Sequence, residues 1–308
     1  MPSILAKAKI AAHSGGRPPA AVEIAPEGIL AAAIPGPGQP PVYAFQPLPP
    51  GSLLPGIGEP NLRAPEAIAA AIRTALGDVS ARTRSVTLIL PDTVVRVFVL
   101  DFDSLPPKPA EAFPVLRFRL RKMVPFDVEH AGVSYQVLSE SKTECKVLAA
   151  IIPGPILAEY EAAVRAAGYE PGAVLPASLA ALEASDSTQA LDAVMGANLS
   201  AIALTTFIMN GRSLLLYRTV DLPTDHAQRV EEVQRGIAVA AAYFEDKLLV
   251  RPTRLHYAGI GAAHDFAAVL ADPELEVIDL TPRPEFGAAT ALGNLSIAPL
   301  NGALAGAH

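Results

Sequence analysis

The feature that most limits what this chain can fold into is the shortness of its apolar runs. Hydrophobic residues make up 51% of 308 residues, yet every aliphatic stretch is soon cut. Ser and Thr interrupt Leu199 to Met209, and Pro153 and Pro155 interrupt Val147 to Ala158. A membrane span needs ~20 mostly apolar residues, and no such run exists. The 30 prolines cluster in connections, which predicts many short elements joined by stiff turns. The first residues, Met1 to Ile10, lack an apolar core followed by a small-residue cleavage site. The sequence therefore reads as that of a cytoplasmic protein.

The runs have two periods. Ala20 to Ile34 reads as two strands around Pro26-Glu27-Gly28, and residues 35–60 as a Pro/Gly-rich loop excursion with a short strand at Val42 to Phe45. Pro65 to Leu76 reads as a helix, with proline at its start, Gly77 as its stop, and Ile68, Ile72 and Leu76 on one face. Strands are predicted over Ser85–Leu90 and Val94–Leu100, a helix over Ala110–Met123, and antiparallel strands over Val133–Leu138 and Lys146–Ile152. Helices follow over Pro155–Gly168 and Val174–Ser185. A hairpin is then expected from Leu199–Thr206 and Ser213–Val220 around Asn210-Gly211, a strong two-residue turn signal. Helix Glu231–Phe244, strand Arg254–Ile260, helix Ala263–Leu270 and strand Leu275–Leu280 complete the order. Such alternation implies an α/β protein with mixed sheets covered by helices. Two halves that each open on a hairpin imply a pseudo-duplicated, two-lobed fold with a cleft. The tail, residues 291–308, is read as a frayed end or a docked strand.

Charge and cysteine usage remove several function classes. With 24 Lys+Arg against 31 Asp+Glu the net charge is -7, so a general attraction to nucleic acid is not expected. The single cysteine, Cys145, excludes a disulfide framework or a cysteine zinc site within one chain, and its apolar setting reads as a core thiol. The histidines His13, His130, His226, His256, His264 and His308 form no metal-ligand pair on one helix, so no metal site is expected. Neither a nucleophile elbow nor a Gly-x-x-x-x-Gly-Lys loop is present. Ser14-Gly15-Gly16-Arg17 reads as a flexible entry segment rather than a phosphate cradle.

Several strings, in order, resemble the PilM-type actin-like proteins of type IV pilus assembly. They are Val94 to Asp101, then Arg117 to Asp127 ending in Pro125-Phe126-Asp127, then Val133 to Leu138, Asn210-Gly211-Arg212 and Tyr257 to Gly261. The resemblance spans about residues 20 to 280, and the cytoplasmic part of GspL-type secretion proteins is a related possibility. It implies a degenerate actin-like (ribonuclease H-like) fold. A first lobe would comprise residues 17–85 plus 171–195, an inserted α+β subdomain residues 86–170, and a reduced second lobe residues 196–290. The implied role is a cytoplasmic scaffold that is peripheral to the inner membrane. It would bind the N-terminal tail of a PilN-type membrane protein and meet pilus motor or platform proteins, with self-association left open.

Actin-like ATPases hold phosphate on hairpin turns, where glycine admits backbone N–H groups and a carboxylate orients Mg²⁺. Here the first turn has Ala25 where the glycine would be, Pro26 without an N–H, Glu27 as an added negative charge, and then Gly28. Glu23 is the one plausible acidic remnant. The second element, Ser200 to Thr206, lacks glycine and carboxylate; Thr205 and Thr206 are its hydroxyls. The third, Gly259-Ile260-Gly261, keeps two glycines. The expectation is a pseudo-ATPase without catalytic residues, without a metal, and with no required cofactor. A working ATPase with diverged loops that holds ATP and Mg²⁺ is the alternative.

Arg117, Arg119, Arg121 and Lys122 form the densest basic cluster. Arg117 and Arg121 share a helix face at spacing four. The cluster reads as a solvated face, as a docking face for a partner segment, or as a contact for anionic lipid. Arg117, Arg121, Phe126 and Tyr135 are the candidates for lining or bordering the peptide groove, an extended peptide being recognised there through main-chain bonds and pockets.

Overall fold

The computed structural model describes residues 16–36, 38–58, 60–184, 193–211, 213–282 and 295–307. It divides into two compact units, Met1–Pro176 with Gly306–His308, and Ala177–Ala305.

The first unit opens with β1 (Ala20–Ala25), β2 (Gly28–Ala33) and β3 (Val42–Pro47), an antiparallel meander. Residues 48–64 lead to α1 (Pro65–Asp78) and then β4 (Ser85–Leu90), which pairs parallel to β1. The α1 stripe Ile68, Ile72 and Leu76 is fully buried, as its helical spacing predicts. Each such side chain contributes ~1.5–3 kcal/mol through burial. Gly77 is not the stop: α1 runs through it, and Ser80 takes the left-handed turn at φ 51°. The Ala81 amide then bonds back to the Leu76 carbonyl, closing the helix as glycine usually does.

An insertion follows β4. A short 3₁₀ turn at Asp92–Val94 precedes β5 (Arg96–Phe102), α2 (Pro109–Leu120), β6 (Gly132–Glu140) and β7 (Cys145–Ile152). These strands form their own sheet in the order β5-β7-β6. Its separate core joins Leu116 and Leu120 to Val147 and Ile151, with Cys145 buried among them. Burial, and secondarily Glu140, pushes that thiol up. Next come α3 (Gly154–Ala166) and β8 (Glu170–Pro176), which pairs parallel to β4. The first sheet is thus β3-β2-β1-β4-β8. Here the structure corrects the expected helix Val174–Ser185. Val174 to Pro176 close a strand, because the residue before Pro176 is held extended, and the helix, α4 (Ala177–Ala184), starts only afterwards. Ser185 lies outside the described residues.

The loop 48–64 is pinned rather than slack. Asn61, fully buried, donates to the carbonyls of Gly58 at 2.7 Å and Gly56 at 3.1 Å. Its Oδ1 accepts from the Gly56 amide at 3.0 Å and the Tyr160 hydroxyl at 3.2 Å. Glu159 Oε2 accepts the amides of Asn61 and Leu62 at 2.8 and 3.1 Å. Burial, with Glu159 beside it, raises the Tyr160 phenol, so the hydroxyl stays protonated and donates.

In the second unit, α4 precedes β9 (Ala193–Leu199), β10 (Ala203–Asn210), β11 (Ser213–Asp221), α5 (His226–Leu248), β12 (Arg254–Gly259), α6 (Ala263–Leu270) and β13 (Glu276–Asp279). The Asn210-Gly211 hairpin is where the sequence places it, with Gly211 at φ 54°; Arg212 lies outside the described residues. The expected strand Leu199–Thr206 is two strands, since Leu199 ends β9 and Ala203 begins β10. The sheet order is β11-β10-β9-β12-β13, with β9 antiparallel to β10 and parallel to β12. Only residues 249–253 separate α5 from β12, so this unit is reduced. The tail forms a helix, α7 (Ala298–Ala305), rather than a strand. Gly302 sits against the Ala180 carbonyl, where a Cβ would lie at 1.7 Å; glycine is what lets α7 approach α4. His13, Ser14, Gly15 and His308 lie outside the described residues.

Candidate functional site

The first hairpin turn holds a crowd of carboxylates. Glu23 on β1 is half-buried as a residue, but its Oε2 is sealed from solvent without a hydrogen-bond partner. Burial, then Glu27, then Asp92 raise its carboxyl to about 8. A carboxylic acid without a bonded partner and beside two other acids is stable only by keeping its proton. Pro26-Glu27 forms the turn between Ala25 and Gly28. Gly28 is required by packing: a Cβ there would lie 2.5 Å from the Gln46 carbonyl and 2.6 Å from the Phe45 ring. That glycine serves the approach of β3 rather than an open anion cradle.

The second turn, residues 200–202, closes on itself. The Ser200 hydroxyl accepts the amides of Ile202 at 3.3 Å and Ala203 at 3.0 Å, and the Ser200 amide bonds the Ala203 carbonyl at 2.9 Å. Arg229 on α5 donates to the carbonyls of Ser200, at 2.7 Å, and Ala201. Those amides already have partners, so they are not waiting for a phosphate. Thr205 and Thr206 are not turn residues; both are buried within β10. Thr205 shares a 2.9 Å hydroxyl contact with Thr219, while Thr206 Oγ1 is buried without a partner.

The third turn keeps its glycines for two reasons. A Cβ on Gly259 would lie 2.7 Å from the Leu199 backbone, and Gly261 takes φ 78°. Tyr257 donates to the Ile260 carbonyl and stacks on Phe266 at 4.3 Å between centroids. Tested against ATP and Mg²⁺, the residues fit poorly. The first turn is acidic and contains proline, the second has its amides bonded, and no group of three His, Cys, Asp or Glu among the described residues is placed to hold a metal.

The partner candidates all fall on the insertion. Arg117 is half-buried and donates to the carbonyls of Val128 and, at 3.1 Å, Ala131. It braces the α2–β6 connection and is not spare charge. Arg121 is exposed and paired with Glu129. Phe126 and Tyr135 are half-buried against the insertion core, and Tyr135 meets Phe113 edge-on at 5.3 Å. Asp127, beside His130 at 2.6 Å, is held below the usual carboxylate range by that hydrogen bond.

Sequence reasoning missed Asp92 as a member of the first turn, Arg229 as the closer of the second, and Phe118, which is 65% exposed with Lys122 over its ring at 5.7 Å. Pro91-Asp92 reads as a separator until β4 is laid parallel to β1. Arg229 sits inside a long polar helix and carries no local signal.

No family model matches the chain, and no curated protein matches it in sequence. Solved structures define the class: this is an actin-like fold. The chain is similar to one in the PilM-PilN type IV pilus biogenesis complex, at 20% identity and TM-score 0.69, covering 94% of this chain and 98% of that one. It is also similar to the cytoplasmic domain of EpsL, an inner membrane component of the type II secretion system of Vibrio cholerae, at 14% identity and TM-score 0.51, covering 92% and 94%. A Bacteroides thetaiotaomicron protein with an actin-like ATPase fold and unknown function aligns at 12% identity and TM-score 0.50, over 82% and 85%.

Proposed function

We propose that this protein is a non-enzymatic scaffold of type IV pilus assembly, held in the cytoplasm beneath the inner membrane by the N-terminal tail of a PilN-type membrane protein. The observation that carries the reading is the near end-to-end likeness to a chain of the PilM-PilN complex. The occupied amides of the second turn and the acidic first turn support a role without ATP hydrolysis. Among the described residues no helix is long and apolar enough to cross a membrane, so attachment through a partner is the economical route. The secretion-adaptor alternative draws on a weaker likeness, 0.51 against 0.69 in TM-score. The scaffold links the membrane platform to the pilus motor. Phe126, Tyr135 and Arg121 border its peptide groove, with Arg117 holding the adjacent connection in place.

Two measurements on the full chain test this. A synthetic tail peptide of the PilN-type protein from the same cell is expected to bind in calorimetric titration and to weaken at least tenfold with Phe126→Ala. Absence of binding overturns the partner assignment. Thermal unfolding is expected to be unmoved by millimolar Mg-ATP. A ligand at ~100 times its dissociation constant stabilises by roughly 2.7 kcal/mol, so a clear upward shift overturns the pseudo-ATPase reading.

A further inference from the structure

Away from the hairpin turns, three arginines meet around one concavity. The turn after β1 lies at the C-terminal end of the parallel strands β1, β4 and β8. The N-terminal ends of β4 and β8 lie about 20 Å away, the length of a six-residue strand. At that end Arg73 of α1 and Arg82 and Arg84 of the α1–β4 connection line a hollow of about 360 Å³, with Thr83 and Tyr169 in the same wall. Both helices that frame it end in tight closures. The Ala81 amide bonds Leu76 and the Tyr169 amide bonds Val164, with Ser80 and Gly168 left-handed.

Two of the guanidiniums are held in position. Arg73 Nη2 donates to the Ala166 carbonyl at 2.7 Å, and Arg84 Nη1 to the Gly168 carbonyl at 3.0 Å. Each bond uses one of the five N–H donors of an arginine. Arg82 is exposed. None of the three pairs with a described carboxylate, although the chain carries a net charge of -7. Elsewhere Arg165, Arg251 and Arg254 all have acidic partners. The carboxylates nearest in sequence are engaged, Asp78 with Gln46 and Glu170 with Arg165. Capping the last α3 carbonyl accounts for Arg73, and bonding the turn just after that helix accounts for Arg84, because cations favour helix C-termini. It does not account for Arg82, nor for three unpaired cations around one hollow.

We propose that this hollow binds a phosphate group, either of a soluble phosphate ester or of an anionic phospholipid headgroup. A carboxylate is planar and is satisfied by one bidentate arginine. Three guanidiniums, one from a helix and two from the connection after it, instead address a tetrahedral dianion from several sides. Thr83 Oγ1 accepts the Ser85 amide at 3.1 Å, which leaves its own proton to donate. The site is independent of the pilus reading and of the hairpin turns.

The test uses the full chain and two probes: inorganic phosphate titrated at constant ionic strength, and flotation with phosphatidylglycerol against phosphatidylcholine vesicles. Arg82→Glu is the variant of choice, because Arg82 donates no bond to another described residue and the variant's thermal midpoint serves as the folding check. Arg119→Glu with Lys122→Glu, on the other basic face, is the control. Saturable phosphate binding that falls at least tenfold in Arg82→Glu and is unchanged in the control supports the site. Vesicle binding lost in the same variant identifies a headgroup, and phosphate binding without vesicle binding identifies a soluble ester. Neither probe binding, or binding indifferent to Arg82→Glu, overturns the proposal.

Discussion

The two five-stranded sheets have the same order, β3-β2-β1-β4-β8 and β11-β10-β9-β12-β13, yet they differ in what connects their strands. In the first unit residues 48–64 join the third strand to its helix, and residues 91–169 separate the two parallel strands β4 and β8. In the second unit the same connections are residues 222–225 and 260–275. The first turns differ as well. One is crowded with Glu23, Glu27 and Asp92, the other is closed by Ser200 and Arg229. Strand pairing is set by the hydrophobic pattern, so it survives in both halves. Turns and insertions carry the individual chemistry, and there the halves differ in the groups they present.

The largest expected effect comes from unpinning the first unit's long connection. Asn61→Ala removes the partner of the Gly56 amide, the Gly56 and Gly58 carbonyls and the Tyr160 hydroxyl. A buried polar group left unsatisfied costs ~1–3 kcal/mol, and water entering the loop recovers part of the sum. A loss of about 3 kcal/mol is expected from the denaturant midpoint. Asn198 is the contrast in the second sheet, where its Nδ2 donates to the Ser178 hydroxyl at 2.9 Å; Asn198→Ala should cost about 1 kcal/mol. Equal losses would break the distinction between a pinned insertion and a plain sheet.

The first turn gives a smaller effect with a definite sign. The folded state holds the Glu23 proton up to about 8, against an ordinary value of 4.5. Between those two values the native protein binds more protons than the unfolded chain, so stability falls as pH rises. The contribution is fully present below about 4.5 and gone above about 8. Glu23→Gln keeps the shape without the charge. It should flatten this slope and raise stability at pH 8 by on the order of 2 kcal/mol, since each pKa unit is worth ~1.4 kcal/mol and buried acids relax. The second turn has no acid in this position, so an unchanged slope in Glu23→Gln would remove the contrast between the turns.

Much of this was legible in the sequence, for reasons that particular residues show. Ile68, Ile72 and Leu76 recur at helical spacing and are buried, and Asn210-Gly211 makes the hairpin, because both signals are local. Strands β8 and β9 were hidden. Val174 to Pro176 looks like the start of the apolar helix that follows, and Leu199 looks continuous with Leu204 until the Ser200 side chain is seen taking two amides. The strings Val94 to Asp101 and Arg117 to Asp127 led to the actin-like fold that the solved structures show. The carboxylate crowd was half visible. Glu23 and Glu27 are neighbours in sequence, whereas Asp92 joins them only through parallel pairing of β1 with β4. For Arg73, Arg82 and Arg84 the sequence gives one cation on a helix and a close pair on the connection after it, and only the joint ending of α1 and α3 sets all three around one hollow.

The finest comparison concerns how each unit ends its long helix. Ser80 after α1 and Leu249 after α5 both take left-handed backbone, at φ 51° and 56°. For a residue with a Cβ this conformation costs roughly 1–2 kcal/mol. Glycine removes that cost and returns part of it through the greater freedom of the unfolded chain. Ser80→Gly should therefore gain about 0.5 kcal/mol, a rise of a few degrees at most in Tm. Leu249 is 86% exposed, so Leu249→Gly gives up almost no buried area and should gain as much. A gain at Ser80 with a loss at Leu249 would separate the two. Backbone strain is the same at both positions, so the loss would have to come from the leucine side chain being covered in solution. That outcome would place a contact surface at the end of α5, in the unit that lacks the long insertions.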